Sequence, residues 1–149
     1  MKNIIPSKDS LYEIANRLKK HNIEFALGGS GLMHFYGCKT DIHDWDITTD
    51  ASVAEVELAI AGLEYERVES SGIYKTKCLF KIKIKATTID LMVGFAIKDG
   101  LGLYKVPTLV EAIWDGIPVG SPTVWIKVYE LLGRIEKANS LRNSLPLRK

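Results

Sequence analysis

Asp44 and Asp46, one residue apart, follow a Gly28-Gly29-Ser30 turn, and a third carboxylate, Asp90, sits in a later apolar run. Side chains at i and i+2 of a strand project from the same face. If Asp44-Trp45-Asp46-Ile47 is a strand, both carboxylates point together while Trp45 and Ile47 pack behind them. Two adjacent anions repel, and the arrangement becomes favourable when a divalent cation lies between them. Asp90, between Thr88-Ile89 and Leu91-Met92-Val93, can supply a third ligand from another strand. Three carboxylate donors suit Mg²⁺ or Mn²⁺ rather than zinc. Gly28 and Gly29 let the backbone approach a ligand closely, and Ser30 offers a hydroxyl at the start of the next helix. A phosphate cradle facing a carboxylate metal site is the equipment of phosphoryl or nucleotidyl transfer.

The elements that must hold these groups can be read from periodicity. Ser7 is placed to cap a first helix, whose stripe is Leu11, Ile14, Ala15 and Leu18, with Arg17, Lys19 and Lys20 in its last turn. Ile23 to Leu27 reads as a strand ending at the glycine pair, and Gly31 to Tyr36 as a short helix stopped by Gly37. Asp44 to Thr48 is the carboxylate strand. Val53, Val56, Ala59, Ile60 and Leu63 recur at helical spacing behind candidate caps at 49–52. Tyr65 to Val68 is a further strand. From Ile73 to Lys85 the chain alternates: Lys75, Lys77, Lys81, Lys83 and Lys85 share one parity, and Tyr74, Thr76, Cys78, Phe80, Ile82 and Ile84 the other. That predicts a long strand, or a strand pair, with one basic and one buried face. The basic face is either a solvated edge that discourages aggregation or a track for RNA or triphosphate. Thr87 to Phe95 carries Asp90. Pro107 to Trp114 is expected to begin a helix, with Pro107 near its first turn, and a last helical region to span about 123–141.

The 149 residues are enough for a domain with a proper core, with 46% hydrophobic and 26% charged side chains. A net charge of +2 gives no reason to expect a dedicated nucleic-acid binder. The two cysteines, Cys38 and Cys78, have no metal or disulfide spacing and fit a reduced compartment. With no signal-peptide pattern and no apolar run near the roughly 20 residues of a membrane span, the expected address is cytoplasmic. Together these features predict one α/β (α+β) domain over 1–149, a mixed sheet with helices packed against it, its core at 23–95 and C-terminal helices at about 107–141. Two apparent motifs fail on spacing: Gly31 to Thr40 lacks the Walker arrangement, and Gly29-Ser30-Gly31 lacks the third glycine of a dinucleotide fingerprint. His43, directly before Asp44, is read as a hydrogen-bonded loop histidine. Trp45, Trp114 and Trp125 are read as core or pocket wall.

An apolar strand ending in Gly-Gly or Gly-Ser, then Asp-x-Asp, then an apolar-flanked Asp is the pattern of the nucleotidyltransferase superfamily that shares the polymerase-beta palm-like fold. Ala26-Leu27-Gly28-Gly29-Ser30, Asp44-Trp45-Asp46-Ile47 and Ile89-Asp90-Leu91 resemble it in order over about residues 23–95. Among its members the chain resembles the small bacterial stand-alone type, including antibiotic and toxin–antitoxin nucleotidyltransferases. The tail, Trp125-x-Lys127 then Gly133-Arg134, is similar to the C-terminal helices of several of these, except that Ile135-Glu136-Lys137 stands where many have Lys-Asp.

The resemblance implies that Asp44 and Asp46 hold catalytic Mg²⁺ (or Mn²⁺) and, through it, a nucleoside triphosphate donor, ATP first. It implies that Asp90 completes one metal site and orients or deprotonates the incoming hydroxyl of a small molecule or protein. Gly28, Gly29 and Ser30 would cradle the β and γ phosphates, with Lys127 and a lysine of the basic strand neutralising charge. Two other readings use the same residues: a nucleotide-binding or antitoxin-like interaction module, and an Asp-x-Asp glycosyltransferase, for which the glycine-serine turn has no use. The small size leaves room for a homodimer to complete the pocket.

Overall fold

The computed structural model describes residues 3–146, so positions 1, 2 and 147–149 of the expected domain lie outside the described residues. Helix α1 spans Asp9–Lys20 and buries Leu11, Ile14, Ala15 and Leu18, the stripe its periodicity predicts. It begins one residue after Lys8 rather than at Ser7, whose Oγ nevertheless accepts the Asp9 N–H at 3.1 Å. Strand β1 is Ala26–Gly28, α2 Gly29–Phe35, β2 Asp44–Thr49 and α3 Val53–Ala59. Ser52 caps α3, accepting the Glu55 N–H while donating to the Glu55 carboxylate, each at 3.1 Å.

Strands β3 (Glu64–Val68), β4 (Cys78–Ile84) and β5 (Thr87–Val93) follow. Then come a separate hairpin, β6 (Ala96–Asp99) and β7 (Gly102–Lys105), and the short strands β8 (Ala112–Trp114) and β9 (Ile117–Val119). Helices α4 (Pro122–Leu131) and α5 (Ile135–Ser144) close the described chain.

The main sheet has seven strands in the order β3-β4-β5-β2-β1-β9-β8. Its centre is the parallel pair β2–β5, flanked by antiparallel partners on both sides. The sheet is therefore mixed, as expected. One face carries Trp45, Ile47, Ile89, Leu91, Phe80 and Ile82, each fully buried in the core. The opposite face carries the carboxylates.

Three expectations need correction. Lys75 to Lys77 are not part of a regular strand; β4 starts at Cys78, and Tyr74 makes only an isolated bridge to Ile97. No helix starts at Pro107: residues 112–119 form the β8–β9 hairpin instead. Its two-residue turn is Asp115-Gly116, with φ of 48° and 85°, the left-handed pair that hairpin geometry demands. Backbone pairing of Ala112 and Trp114 with β9 outweighed a proline that also suits a helix start. The last helical region is two helices, because Gly133 takes φ 74° and turns the chain between α4 and α5.

Candidate active site

Register carries the carboxylates to one place. Gly28 of β1 pairs with Asp46 of β2, Asp46 with Asp90 of β5, and Asp90 with Lys81 of β4. These four positions form one row across four neighbouring strands. Asp46 and Asp90 project from the same face, because cross-strand partners share a side of the sheet. Asp44 stands two residues back on the same face, opposite Thr88.

The middle of the row, Asp46 and Asp90, lies at the floor of a cleft of about 390 Å³, lined at that end also by Gly29 and Ser30; Gly28, Asp44 and Lys81 are not among its lining residues. The facing wall comes from α4 and the start of α5: Trp125, Tyr129, Arg134 and Lys137. Beyond Asp90 the cleft runs along an apolar surface of Val68, Leu79, Met92 and Phe95 to the β3–β4 connection.

Electrostatics mark Asp46 as the centre. Burial, then the charges of Asp90 and Asp44, push its carboxyl up from 3.8 to about 7, with Lys137 and Lys81 pulling the other way. Its edge remains partly accessible, yet it sits deep in the cleft, and it is this surrounding protein that makes ionisation costly. Asp90 is also raised, by burial first and by Asp44 last. Lys81 opposes that rise through its charge and through a hydrogen bond from Nζ to Oδ1 at 3.3 Å. The Tyr129 hydroxyl is raised by burial and then by Asp46.

Each glycine of the turn has a different task. Gly29 takes φ 56°, and a Cβ there would fall on the Asp46 carboxylate. The left-handed glycine thus makes space for the central carboxylate itself. Gly28 does not face the cleft: a Cβ on it would strike the Trp125 indole, which covers it. Its smallness lets α4 sit down on the sheet, which differs from the phosphate-cradling role expected of it. Ser30 does line the cleft.

Lys127 is not at this site. It is exposed on α4, with Nζ 5.8 Å from the centre of the Tyr104 ring, while Trp125 and Tyr129 face the cleft. Helical spacing explains the error: residues four apart share a face, and Lys127 lies midway between Trp125 and Tyr129 in sequence and so on the opposite side. The cations that reach the cleft are Arg134 and Lys137, with Lys137 Nζ also 5.6 Å from the centre of the Tyr129 ring. Lys137 is the lysine in the Ile135-Glu136-Lys137 stretch that departs from the family pattern. Of the basic strand, Lys81 is the member that meets a carboxylate of the site.

The donor set is that of a hard divalent cation: like-charged carboxylates converge on one face, and Asp46 is disfavoured as an anion without a compensating charge. These residues fit such an ion in type and in the face of the sheet they share. Among the described residues no three acidic, histidine or cysteine side chains are already gathered into a metal cage. Asp90 is instead turned to Lys81.

No family model matches the sequence, and no curated relative matches it. Solved structures do. A Thermotoga maritima protein assigned as a nucleotidyltransferase is similar over 90% of this chain and 89% of that one, at 26% identity and a TM-score of 0.68. The antibiotic-resistance enzyme ANT(2″)-Ia, solved with adenylyl-2″-tobramycin, matches over 92% and 88%, with 16% identity and a TM-score of 0.60. The lincosamide adenylyltransferase LnuA, solved with lincomycin, matches over 94% and 99%, with 14% identity and a TM-score of 0.60. The last two likenesses are of fold. With the first, they support a nucleotidyltransferase-like fold for this chain. No helix among the described residues is long and apolar enough to cross a membrane.

Proposed function

We propose that this chain is a metal-dependent nucleotidyltransferase that moves a nucleoside monophosphate from a nucleoside triphosphate, with ATP the donor to test first, to a hydroxyl acceptor. The observation that carries this reading is the cross-strand pair Asp46–Asp90, beside Gly29 and Ser30 at the floor of a cleft whose opposite wall bears Arg134 and Lys137. Asp44, Asp46 and Asp90 would hold Mg²⁺ or Mn²⁺. When bound there, a divalent cation supplies Lewis acidity to the attacking hydroxyl and charge compensation to the departing pyrophosphate.

The chain's own residues account for the rest. Gly29 and Ser30 bring backbone and hydroxyl against the phosphates beside Asp46. Arg134 and Lys137 face the same space and neutralise the triphosphate. Asp90 lies on the side of Asp46 away from the glycine turn, where an acceptor hydroxyl enters and gives up its proton. In the transfer, the hydroxyl oxygen bonds to the α-phosphorus, the bond from that phosphorus to the bridging oxygen breaks, and pyrophosphate leaves. The apolar surface of Val68, Leu79, Met92 and Phe95 offers a seat for the uncharged parts of the bound molecules. The complexes of ANT(2″)-Ia with adenylyl-2″-tobramycin and of LnuA with lincomycin lend support to a small-molecule acceptor.

A nucleotide-binding module would need none of the third carboxylate, the paired lysine and the second cationic wall together. Pyrophosphate release from the four common triphosphates, with and without Mg²⁺ and across an acceptor panel, tests the proposal. Tight nucleotide binding without turnover of any acceptor would favour the module. Release of a nucleoside diphosphate would favour sugar-nucleotide chemistry.

A further inference from the structure

The cleft does not end at its apolar wall. A second recess, about 620 Å³, opens beside it at the β3–β4 connection, and the two share Val68, Glu69, Ser70, Tyr74 and Thr76. The connection is pinned in place. The Ser70 hydroxyl donates to the Thr76 carbonyl at 2.8 Å, and the Lys75 N–H donates to the Ala96 carbonyl at 2.8 Å. Thr76 is buried, so its neighbours Lys75 and Lys77 are held outward.

Charge in this recess is one-sided. Lys75, Lys77 and Arg67 line it against a single carboxylate, Glu69. Arg67 is already paired with Glu57 at 3.3 Å. Lys75 and Lys77 make no ion pair among the described residues, and the Lys77 stem lies against Gly94, which steadies the side chain. The sheet order sets which substrate meets them. The glycine turn is on β1, Asp46 on β2, Asp90 on β5, and the Lys75–Lys77 segment enters β4, beyond Asp90. Arg134 and Lys137 are on the other wall, beside the place for the triphosphate. The donor's charge is therefore met without Lys75 and Lys77.

We infer that Lys75 and Lys77 form an anion subsite for the acceptor, so that the accepted hydroxyl belongs to a molecule that also carries a phosphate ester. This rests on the nucleotidyl-transfer reading and narrows it. A polyamine acceptor is excluded on the same ground, since apart from the metal carboxylates only Glu69 would greet its ammonium groups. The phosphate could belong to a small sugar phosphate or to the end of a nucleic acid strand; the shared chemistry is the phosphate ester beside a free hydroxyl.

The test is amide chemical-shift mapping of the full chain in titrations with inorganic phosphate, glucose 6-phosphate, a short oligoribonucleotide and tobramycin, each with Mg²⁺ and saturating ATP present. The expected result is saturable shifts at residues 67–77 from the phosphate-bearing probes, with tobramycin causing none there. Whichever of glucose 6-phosphate and the oligoribonucleotide binds more tightly names the source. In the Lys75→Glu/Lys77→Glu variant the affinity of these probes should fall at least about tenfold, with Lys75→Gln/Lys77→Gln intermediate, while MgATP shifts at Gly29 and Ser30 persist. Phosphate shifts confined to the donor side, an unchanged affinity in the variant, or tighter binding of tobramycin at 67–77 would each overturn the inference. MgATP that fails to bind, with the recess still taking phosphate, would instead sink the transfer reading and leave the subsite standing.

Discussion

Lys81 Nζ lies 3.3 Å from Asp90 Oδ1, and the two residues are direct partners across the antiparallel β4–β5 pair. The carboxylate expected to serve a metal ion is thus ion-paired within the protein, mostly covered and beside two other acids. A lysine in that position holds the acidic row together and must share Asp90 with any cation that arrives.

Lys81→Ala removes that compensation. In EDTA the variant should melt a few degrees lower, corresponding to about 1 kcal/mol for a partly exposed pair in a molecule of this size. Mg²⁺ should recover more of the loss than it adds to the parent, because it takes up the same carboxylate. Thermal denaturation with and without Mg²⁺ checks this; an equal deficit in both conditions would count against a shared site.

The Asp46 carboxyl, pushed up to about 7 by burial and by Asp90 and Asp44, makes both stability and metal binding depend on pH. In the unfolded chain it titrates near 3.8. The folded state therefore holds the proton more tightly, and this group's contribution is full below about 4 and is lost as pH rises through 7. Metal-free parent protein should lose stability across that window, and Asp46→Asn should melt on the order of 5 °C higher than the parent at pH 8 but not at pH 4. Mg²⁺ affinity should move oppositely, weakening up to tenfold per pH unit below 7 as the proton competes. Calorimetry in two buffers of different ionisation enthalpy would reveal the released proton.

Gly29→Ala and Gly28→Ala should fail in different ways. At Gly29 the new methyl group meets the Asp46 carboxylate and the backbone must keep φ 56°, a cost of about 1–3 kcal/mol together with lost nucleotide binding. At Gly28 it meets the Trp125 ring, so the variant should shift tryptophan fluorescence by displacing α4. Fluorescence spectra and nucleotide titrations distinguish the two.

Among the cations, Lys137→Ala should weaken triphosphate binding roughly tenfold, the scale of one charged contact at about 1.4 kcal/mol. Lys127→Ala should leave it unchanged, since Lys127 stands at Tyr104 away from the cleft. Equal effects from both would show that α4 and α5 are oriented wrongly in this account.

Much of this site was legible because its signals are local. Alternation alone puts Asp44 and Asp46 on one face and Trp45 and Ile47 in the core, and the apolar flanks of Asp90 mark it as an interior-strand residue. The pairing of Asp46 with Asp90 is a long-range register, and no short window of sequence contains it. Lys81 was visible only as one of five alternating lysines; its distinction comes from the strand that lies beside it. Arg134 and Lys137 were obscured by reading 123–141 as continuous, although Gly133 is a signal for the break that brings Lys137 round to the cleft. Asp115-Gly116 is likewise a hairpin turn in plain sight, outweighed in reading by Pro107.

The most direct test of the central claim is calorimetric titration of the parent chain, Asp46→Asn and Asp90→Asn with ATP, GTP, CTP and UTP, in Mg²⁺ and in EDTA. The account predicts Mg²⁺-dependent binding of at least one triphosphate by the parent, lost or weakened at least tenfold in both variants, with the folds retained. Triphosphate binding that is indifferent to Mg²⁺ and to both substitutions would contradict it.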